Sequence, residues 1–489
     1  MSDPSLINTK SSIIAIVIGL IIWFVIPVPE GVTPDAWHLL ALFVGTIAAI
    51  IGKAMPIGAI ALLAITLVAV TGVTSDNPST AMKDALSGFS NSLIWLIGIA
   101  IMISRGLVKT GLGNRIGYNF IALFGKRTLG IGYSLAISEL LIAPVTPSNT
   151  ARGGAIIHPV MKSIAASFDS SPDNGTSRKI GHYLALVNYQ TNPITSAMFI
   201  TATAPNPLIV DLVAKATGSE VSITWGMWAL AAFVPGILCI LLMPLVIYLI
   251  YPPEIKSTPS ARTFAKDKLA EMGSIKGAEK IMIAVFLGMI LLWANIPSMI
   301  FGDEFKFNST TVAFLGLSTL LVTKVLTWQD ILGEKSAWDT IIWFSALVMM
   351  ASYLDKLGLI SWFSTFIGGS IGALDLGWEL SVAILIAIYF YAHYFFASTT
   401  AHITAMFAAF YTVGLALGAP PVFLAFMLAG ASSLMMTLTH YATGTAPVIF
   451  GSGFVSMGDW WKTGFIMSIV NLTIWTVAGS LWWKALGYW

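Results

Sequence analysis

The chain has 489 residues, 56% of them hydrophobic and 10% Asp, Glu, Lys or Arg, with a mean hydropathy of +0.84 and a formal net charge of +2. A soluble domain carries about 25% charged residues, so this composition excludes a water-soluble globule and makes lipid the solvent for most of the chain. The single Cys239 excludes a disulfide framework and a cysteine-based metal site, and so small a net charge gives no basis for nucleic-acid binding.

In chain order, the first apolar run, near 12–28, follows one basic residue, Lys10, and ends at Ile26-Pro27-Val28-Pro29 without a small-residue cleavage pattern. That predicts a retained span rather than a signal peptide, and the lack of an Arg- and Ser-rich transit segment favours a bacterial plasma membrane over an organelle. Further runs able to cross, or nearly cross, about 30 Å of hydrocarbon lie near 37–52, 55–72, 91–104, 183–213, 227–250, 281–301, 309–326, 338–354, 421–455 and 463–486. Two more apolar regions, 129–165 and 378–416, are interrupted by Pro144-Val145-Thr146-Pro147-Ser148-Asn149-Thr150 and by Ala397-Ser398-Thr399-Thr400. A lipid-facing helix cannot leave the freed N–H and C=O groups unpaired, so each region predicts a re-entrant hairpin whose tip lines an aqueous cavity. Two of the long runs also contain helix-breaking clusters, Thr201–Pro205 and Thr443–Pro447, which predict broken helices over 183–213 and 421–455. The one long hydrophilic loop, 252–280, contains apolar residues at helical spacing over 261–272, as in a helix lying on the cytoplasmic interface.

Charge orients these spans. With the N-terminus inside and eleven crossings, 19 of the 25 Lys and Arg fall on the cytoplasmic side; five fall outside (Lys83, Lys215, Lys306, Lys356, Lys484), and Arg152 lies within the first hairpin. This asymmetry follows the positive-inside rule and places the C-terminus outside. Four landmarks recur in order in the two halves: Ile94-Trp95-Leu96 with Ile342-Trp343-Phe344, Lys109 to Leu112 with Lys356 to Leu359, Ser148 to Arg152 with Ser398 to His402, and Thr201 to Pro205 with Thr443 to Pro447. On this topology the halves, 1–251 and 281–489 joined by the linker 252–280, are inverted repeats. The predicted fold is therefore an all-α integral membrane protein of about 11 transmembrane helices and two hairpins, the plan of alternating-access carriers with a midplane site.

At that site, the hydroxyls and amide of Ser148, Asn149, Thr150, Ser398, Thr399 and Thr400 can donate to carboxylate oxygens, and their place before apolar helical runs aims helix N-termini at an anion. The second pair of breaks adds Thr203, Pro205, Thr445 and Pro447. Arg152 and His402 stand four residues after the tip serines, and a cation at midplane depth is by default a functional candidate, here one that compensates the charge of a dianion. The alternatives are a structural salt bridge from Arg152 to Glu139 and a neutral, hydrogen-bonded core His402. The other histidines lack metal-site spacing, and no Walker lysine or GxSxG elbow occurs; no metal, cofactor or enzymatic activity is expected.

The stretches APVTPSNTAR at 143–152, FYAHYFFAS at 390–398 and YATGT at 441–445 resemble the divalent anion/sodium symporter family, and the resemblance runs over nearly the whole chain. It is closer to the exchanger branch of bacterial citrate/succinate antiporters and plastid 2-oxoglutarate/malate translocators. The resemblance implies a homodimer in lipid, each protomer having a scaffold domain and a transport domain that moves like an elevator. It also implies a di- or tricarboxylate held between Ser148-Asn149-Thr150 and Ser398-Thr399-Thr400. Thr399 stands where the family usually has Asn, and Arg152 and His402 stand near the symporters' sodium sites; both departures point to sodium-independent exchange. A sodium-coupled symporter, an anion channel and an intramembrane enzyme are the competing readings.

Overall fold

The computed structural model describes residues 7–359, 362, 377–396 and 398–489; Ala397 of the second interrupted cluster lies outside them. The described residues are all-helical, with one isolated antiparallel bridge between Arg127 and Ser257. The helices are α1 (Thr9–Leu20), α2 (Pro34–Ile51), α3 (Ile57–Thr71), α4 (Pro78–Leu86), α5 (Ser92–Thr110), α6 (Leu112–Phe124), α7 (Thr128–Ile142), α8 (His158–Ala166), α9 (Gly181–Met198), α10 (Asn206–Ala216), α11 (Trp225–Ile250) and α12 (Pro259–Met272). They continue with α13 (Gly277–Trp293), α14 (Ile296–Phe301), α15 (Ser309–Val322), α16 (Trp328–Leu332), α17 (Lys335–Lys356), α18 (Trp378–Tyr391), α19 (Thr399–His402), α20 (Ala408–Ala416), α21 (Pro421–Leu434), α22 (Thr445–Phe450) and α23 (Met457–Ala485). By length and composition, seven helical segments among the described residues can cross a membrane, and four shorter apolar ones accompany them. All of them fall on predicted apolar runs.

Local chemistry sets the boundaries. Asn91 caps α5 by accepting the Leu93 N–H at 2.9 Å, and Gly111, at φ 77°, closes the same helix in the left-handed region that favours glycine. Gly358, at φ 82°, does the same after α17. Helices α4 and α6 were not predicted. Leu112–Phe124 includes Asn114, Arg115 and Asn119, which break the apolar run, yet it packs between α7 and α12. Its buried Arg115 forms a two-point pair with Glu279 (Nε to Oε1 2.6 Å, Nη2 to Oε2 3.2 Å) and donates to the Gly273 carbonyl at 3.0 Å. The predicted helix in the hydrophilic linker is α12, which buries Ala261 and Ala265.

Two groups of helices frame the site. In one, α5 lies between α15 and α17, and α3 packs on α17. The turn Ser87–Ser90 approaches α17 so closely that a Cβ on Gly88 would sit 2.0 Å from the Ser345 carbonyl oxygen. Backbone cannot swing aside, and overpacking costs about 1–3 kcal/mol. Gly88→Ala is therefore expected to lower the unfolding temperature of the purified protein, measured by tryptophan fluorescence; an unchanged midpoint would refute this contact. In the other group, α9 is buried along its whole length against α7, α11 and α21.

The two interrupted regions share a sequence of helix, 3-10 turn, π turn and helix, with one further α-helical turn in the second. In the first, α7 runs into a 3-10 turn (Ala143–Val145), a π turn (Thr150–Ile157) and α8. In the second, α18 runs into a 3-10 turn (Ala392–Phe395), then α19, a π turn (Ile403–Phe407) and α20. Each restart is capped alike: Ser148 Oγ accepts the Ala151 N–H at 3.1 Å, and Ser398 Oγ accepts the Ala401 N–H at 3.3 Å. The other two breaks separate α9 from α10 and α21 from α22, each through a 3-10 turn (Ile200–Ala202 and Met435–Thr437).

Candidate functional site

A cavity of about 180 Å³ lies where the four breaks meet, small beside the roughly 300–1,000 Å³ of drug-sized ligand pockets. Ser148 and Asn149 line it from the first tip, and Ser398, Thr399 and Thr400 from the second; Thr203, Pro205, Thr443 and Gly444 come from the other breaks. Ile101 of α5 and Ser336 and Thr340 of α17 complete the wall. No ionisable Asp, Glu, Lys, Arg or His side chain lines it. Its polar groups are neutral donors, and the residues at four helix starts surround it, with first-turn N–H groups that lack intrahelical acceptors. Neutral donors and helix starts in this arrangement suit a small anion.

The tips and breaks are tied crosswise. Asn149 Nδ2 donates to Thr443 Oγ1 at 2.8 Å, its Oδ1 accepts the Thr150 N–H at 3.0 Å, and its carbonyl accepts from Asn192 Nδ2 at 3.0 Å. A Cβ on Gly444 would lie 2.6 Å from Thr150 Oγ1, so a larger residue there would displace the Thr150 hydroxyl. Across the cavity, Thr399 Oγ1 donates to the Ala442 carbonyl at 3.1 Å.

Seven of the predicted contact residues line this cavity: Ser148, Asn149, Ser398, Thr399, Thr400, Thr203 and Pro205. Thr150 lines an adjoining cavity instead. Thr445 is buried outside the lining and Pro447 lies beyond it, while Thr443 and Gly444 reach the cavity from the same cluster. Ser336 and Thr340 carry no sequence signal, since their i, i+4 spacing acquires meaning only once α17 packs beside the tips.

Arg152 and His402 are placed differently from the expectation of cations facing a substrate. Arg152 is completely buried and absent from the lining. Nε donates to Glu139 Oε1 (3.2 Å), Nη1 to the carbonyls of Thr146 (2.8 Å) and Ala202 (2.7 Å), and Nη2 to Thr195 Oγ1 (3.2 Å) and Ser196 Oγ (2.9 Å). All five N–H groups are engaged, and Glu139, which also accepts from Asn192 (2.7 Å) and Thr195 (3.1 Å), balances the charge. In a low dielectric a buried cation is held by the nearest fixed anion, and Arg152 ties the first interrupted region to the break at Ala202 instead of facing the cavity.

His402 is likewise buried, with Nδ1 3.1 Å from His393 Nδ1 and its ring edge-on to Tyr389 at 4.6 Å. His393 Nε2 lies 3.2 Å from the Ala442 carbonyl, which can only accept. His393 is thus protonated on Nε2, its Nδ1 accepts, and His402 donates from Nδ1: two neutral imidazoles satisfy the geometry. At the 250-residue offset between Ser148 and Ser398, positions 139 and 152 fall on 389 and 402, and the second interrupted region has a neutral Tyr-His contact where the first has an ion pair. Among the described residues no group of three or more His, Cys, Asp or Glu could hold a metal ion.

The adjoining cavity, about 570 Å³, shares Ile101, Ser148 and Ser336 with the first. It follows one face of α5 through Ile101, Ser104, Arg105 and Val108, spaced i, i+3, i+4 and i+7, and reaches Glu334 at the start of α17.

Broken helices around a neutral, anion-directed cavity, in a chain of membrane-length apolar segments, define a membrane transporter. The chain belongs to the family described as the sodium:sulfate symporter transmembrane region, which matches residues 7–489. It is 51% identical over 98% of its length, and 96% of the relative's, to YflS of Bacillus subtilis (strain 168), which carries the provisional name of a malate transporter. It is 47% identical to the chloroplastic dicarboxylate transporter 1 of Spinacia oleracea, covering 99% of this chain and 82% of the relative. To the L-tartrate/succinate antiporter of Shigella sonnei (strain Ss046) it is 34% identical, covering 94% of each. Among solved structures, the YdaH transporter of Alcanivorax borkumensis shares the fold with a TM-score of 0.54 at 12% identity, over 88% of this chain and 97% of that one.

Proposed function

We propose that this chain is a secondary transporter that exchanges small dicarboxylates across the membrane by alternating access, without sodium. The observation that carries the reading is the small cavity lined by neutral hydroxyl and amide donors where four helix starts converge. Relatives named for dicarboxylate transport and for tartrate/succinate antiport support the substrate class and the exchange. Sodium independence draws support from Arg152. Carbonyls from the tip (Thr146) and the break (Ala202) would suit a hard cation, and its Nη1 already satisfies both. In the second hairpin, the Ala442 carbonyl is similarly taken by Thr399 and His393.

Exchange follows if the empty cavity reorients slowly. Arg152 is paired with Glu139 away from the cavity lining, so departure of a substrate from the cavity does not strip it of its partner. The hindrance rests instead on hydroxyls and helix-start N–H groups that lack an anion. The parallel conformations of the two hairpins support inverted repeats over 1–251 and 281–489, and an elevator-like movement of the tips relative to α5 and α17. The reading also includes a homodimer and a multi-pass plasma-membrane protein with cytoplasmic N-terminus and external C-terminus.

Proteoliposomes test this directly. Labelled succinate is expected to enter only vesicles preloaded with a dicarboxylate, at a rate indifferent to a sodium gradient. Sodium-driven uptake into vesicles without internal dicarboxylate would establish the symporter instead, and current without counter-substrate would establish a channel.

A further inference from the structure

The wider cavity beside the binding cavity contains one basic side chain, Arg105, and one acidic side chain, Glu334. Arg105 is held unlike the buried arginines. Its side chain is 43% exposed, and its contacts to Asp330 Oδ1 (3.6 Å) and Glu334 Oε2 (3.5 Å) exceed the roughly 2.7–3.2 Å of an N–H···O hydrogen bond. Among the described residues it donates no hydrogen bond.

Its two carboxylate neighbours differ. Asp330 Oδ2 lies 2.5 Å from Lys109 Nζ and accepts from the Thr327 N–H and hydroxyl, both at 2.8 Å. Burial works to raise the Asp330 pKa, but these hydrogen bonds outweigh it and hold the carboxyl well below the usual carboxylate range. Asp330 is therefore ionised and engaged elsewhere. The Glu334 carboxylate has Arg105 as its only partner among the described residues.

We infer that Arg105 is a docking residue for the substrate dianion at the mouth of the binding cavity, with Glu334 as an intramolecular competitor that the incoming carboxylate displaces. The inference rests on the carrier reading above. A guanidinium takes a carboxylate through two parallel N–H donors, so an arriving dicarboxylate exchanges a long contact to Glu334 for a short, two-point one. One turn of α5, about 6 Å, separates Arg105 from Ile101 at the cavity wall. Ser148 and Ser336 line both cavities, so a carboxylate leaving Arg105 meets hydroxyl donors at the passage into the smaller one. On the proposed orientation this mouth is cytoplasmic.

The test is exchange kinetics on each face of sided vesicles for the wild type, Arg105→Gln, Arg105→Lys and Glu334→Gln, with unfolding temperatures alongside. Arg105→Gln is expected to raise the KM for succinate about tenfold on the cytoplasmic face alone and to flatten its salt dependence. Arg105→Lys restores part of the loss. Glu334→Gln lowers the KM on that face, because the competing carboxylate is gone. A merely structural pair would make both neutral variants worse, on both faces, with lower unfolding temperatures. An unchanged KM in Arg105→Gln, or a raised one in Glu334→Gln, overturns the inference. If Arg105→Gln fails to fold, the direction of the Glu334→Gln shift decides it. A wild type without counterflow would refute the carrier reading itself, whereas normal wild-type exchange with unchanged Arg105→Gln kinetics refutes the docking role alone.

Discussion

Arg152→Gln is expected to destabilise the folded carrier by about 3–5 kcal/mol, the cost of removing one partner from a buried ion pair. The substitution leaves Glu139 ionised in an interior where Oε1 keeps only Asn192 and Thr195 as donors. It also strips donors from the Thr146 and Ala202 carbonyls, which join the first tip to the first break. The informative comparison is a double-mutant cycle with Glu139→Gln. The double variant should recover a good part of the loss, since two neutral amides can pair where a lone carboxylate cannot. Thermal unfolding of the purified protein supplies the midpoints, and counterflow per folded molecule supplies the activity. A double variant that loses the sum of the two single losses would show that the pair is not coupled. A raised KM with an unchanged midpoint would return Arg152 to the substrate, as the sequence suggested.

Asn149 carries the second large effect. It lines the cavity while bonding Thr443, Thr150 and Asn192. Asn149→Ala removes an amide whose second N–H makes only a long contact to Met436 Sδ (3.5 Å) that a carboxylate can displace, and it unties the first tip from the second break. Hydrogen bonds to charged groups are worth about 1.5–3 kcal/mol, so dicarboxylate affinity should fall by about 10- to 100-fold. Asn149→Asp is the sharper variant. It keeps the shape and an oxygen for the Thr150 N–H, but turns a donor into a negative charge facing a dianion. At a separation of about 4 Å and an effective dielectric near 20, that repulsion is about 4 kcal/mol, enough to abolish measurable binding. Thermal-shift titration with succinate reads both variants. Retained affinity in Asn149→Asp would move the anion away from the first tip.

Much of the architecture was legible because lipid imposes strict rules on sequence. Apolar length marks α2, α5, α11, α17 and α23, and polar clusters within apolar runs mark the tips and breaks, since backbone groups freed in hydrocarbon need partners. Helix α6 was invisible for the complementary reason. Its Arg115 reads as loop charge until Glu279, 164 residues away in sequence, neutralises it.

The placement of charge required the tertiary structure. Composition and spacing determined that this is a multi-span membrane protein with interrupted helices, and they singled out Ser148, Asn149 and Ser398 to Thr400, which line one cavity, because those properties follow from local runs and local breaks. Whether Arg152 faces a ligand or Glu139, whether His402 is a cation or one of two neutral imidazoles, and which face of α5 carries Arg105 toward the cavity depend on what packs across from each residue. Coulomb and hydrogen-bond energies in a low dielectric are set by distances of a few ångströms between segments remote in sequence, and no local pattern encodes those distances.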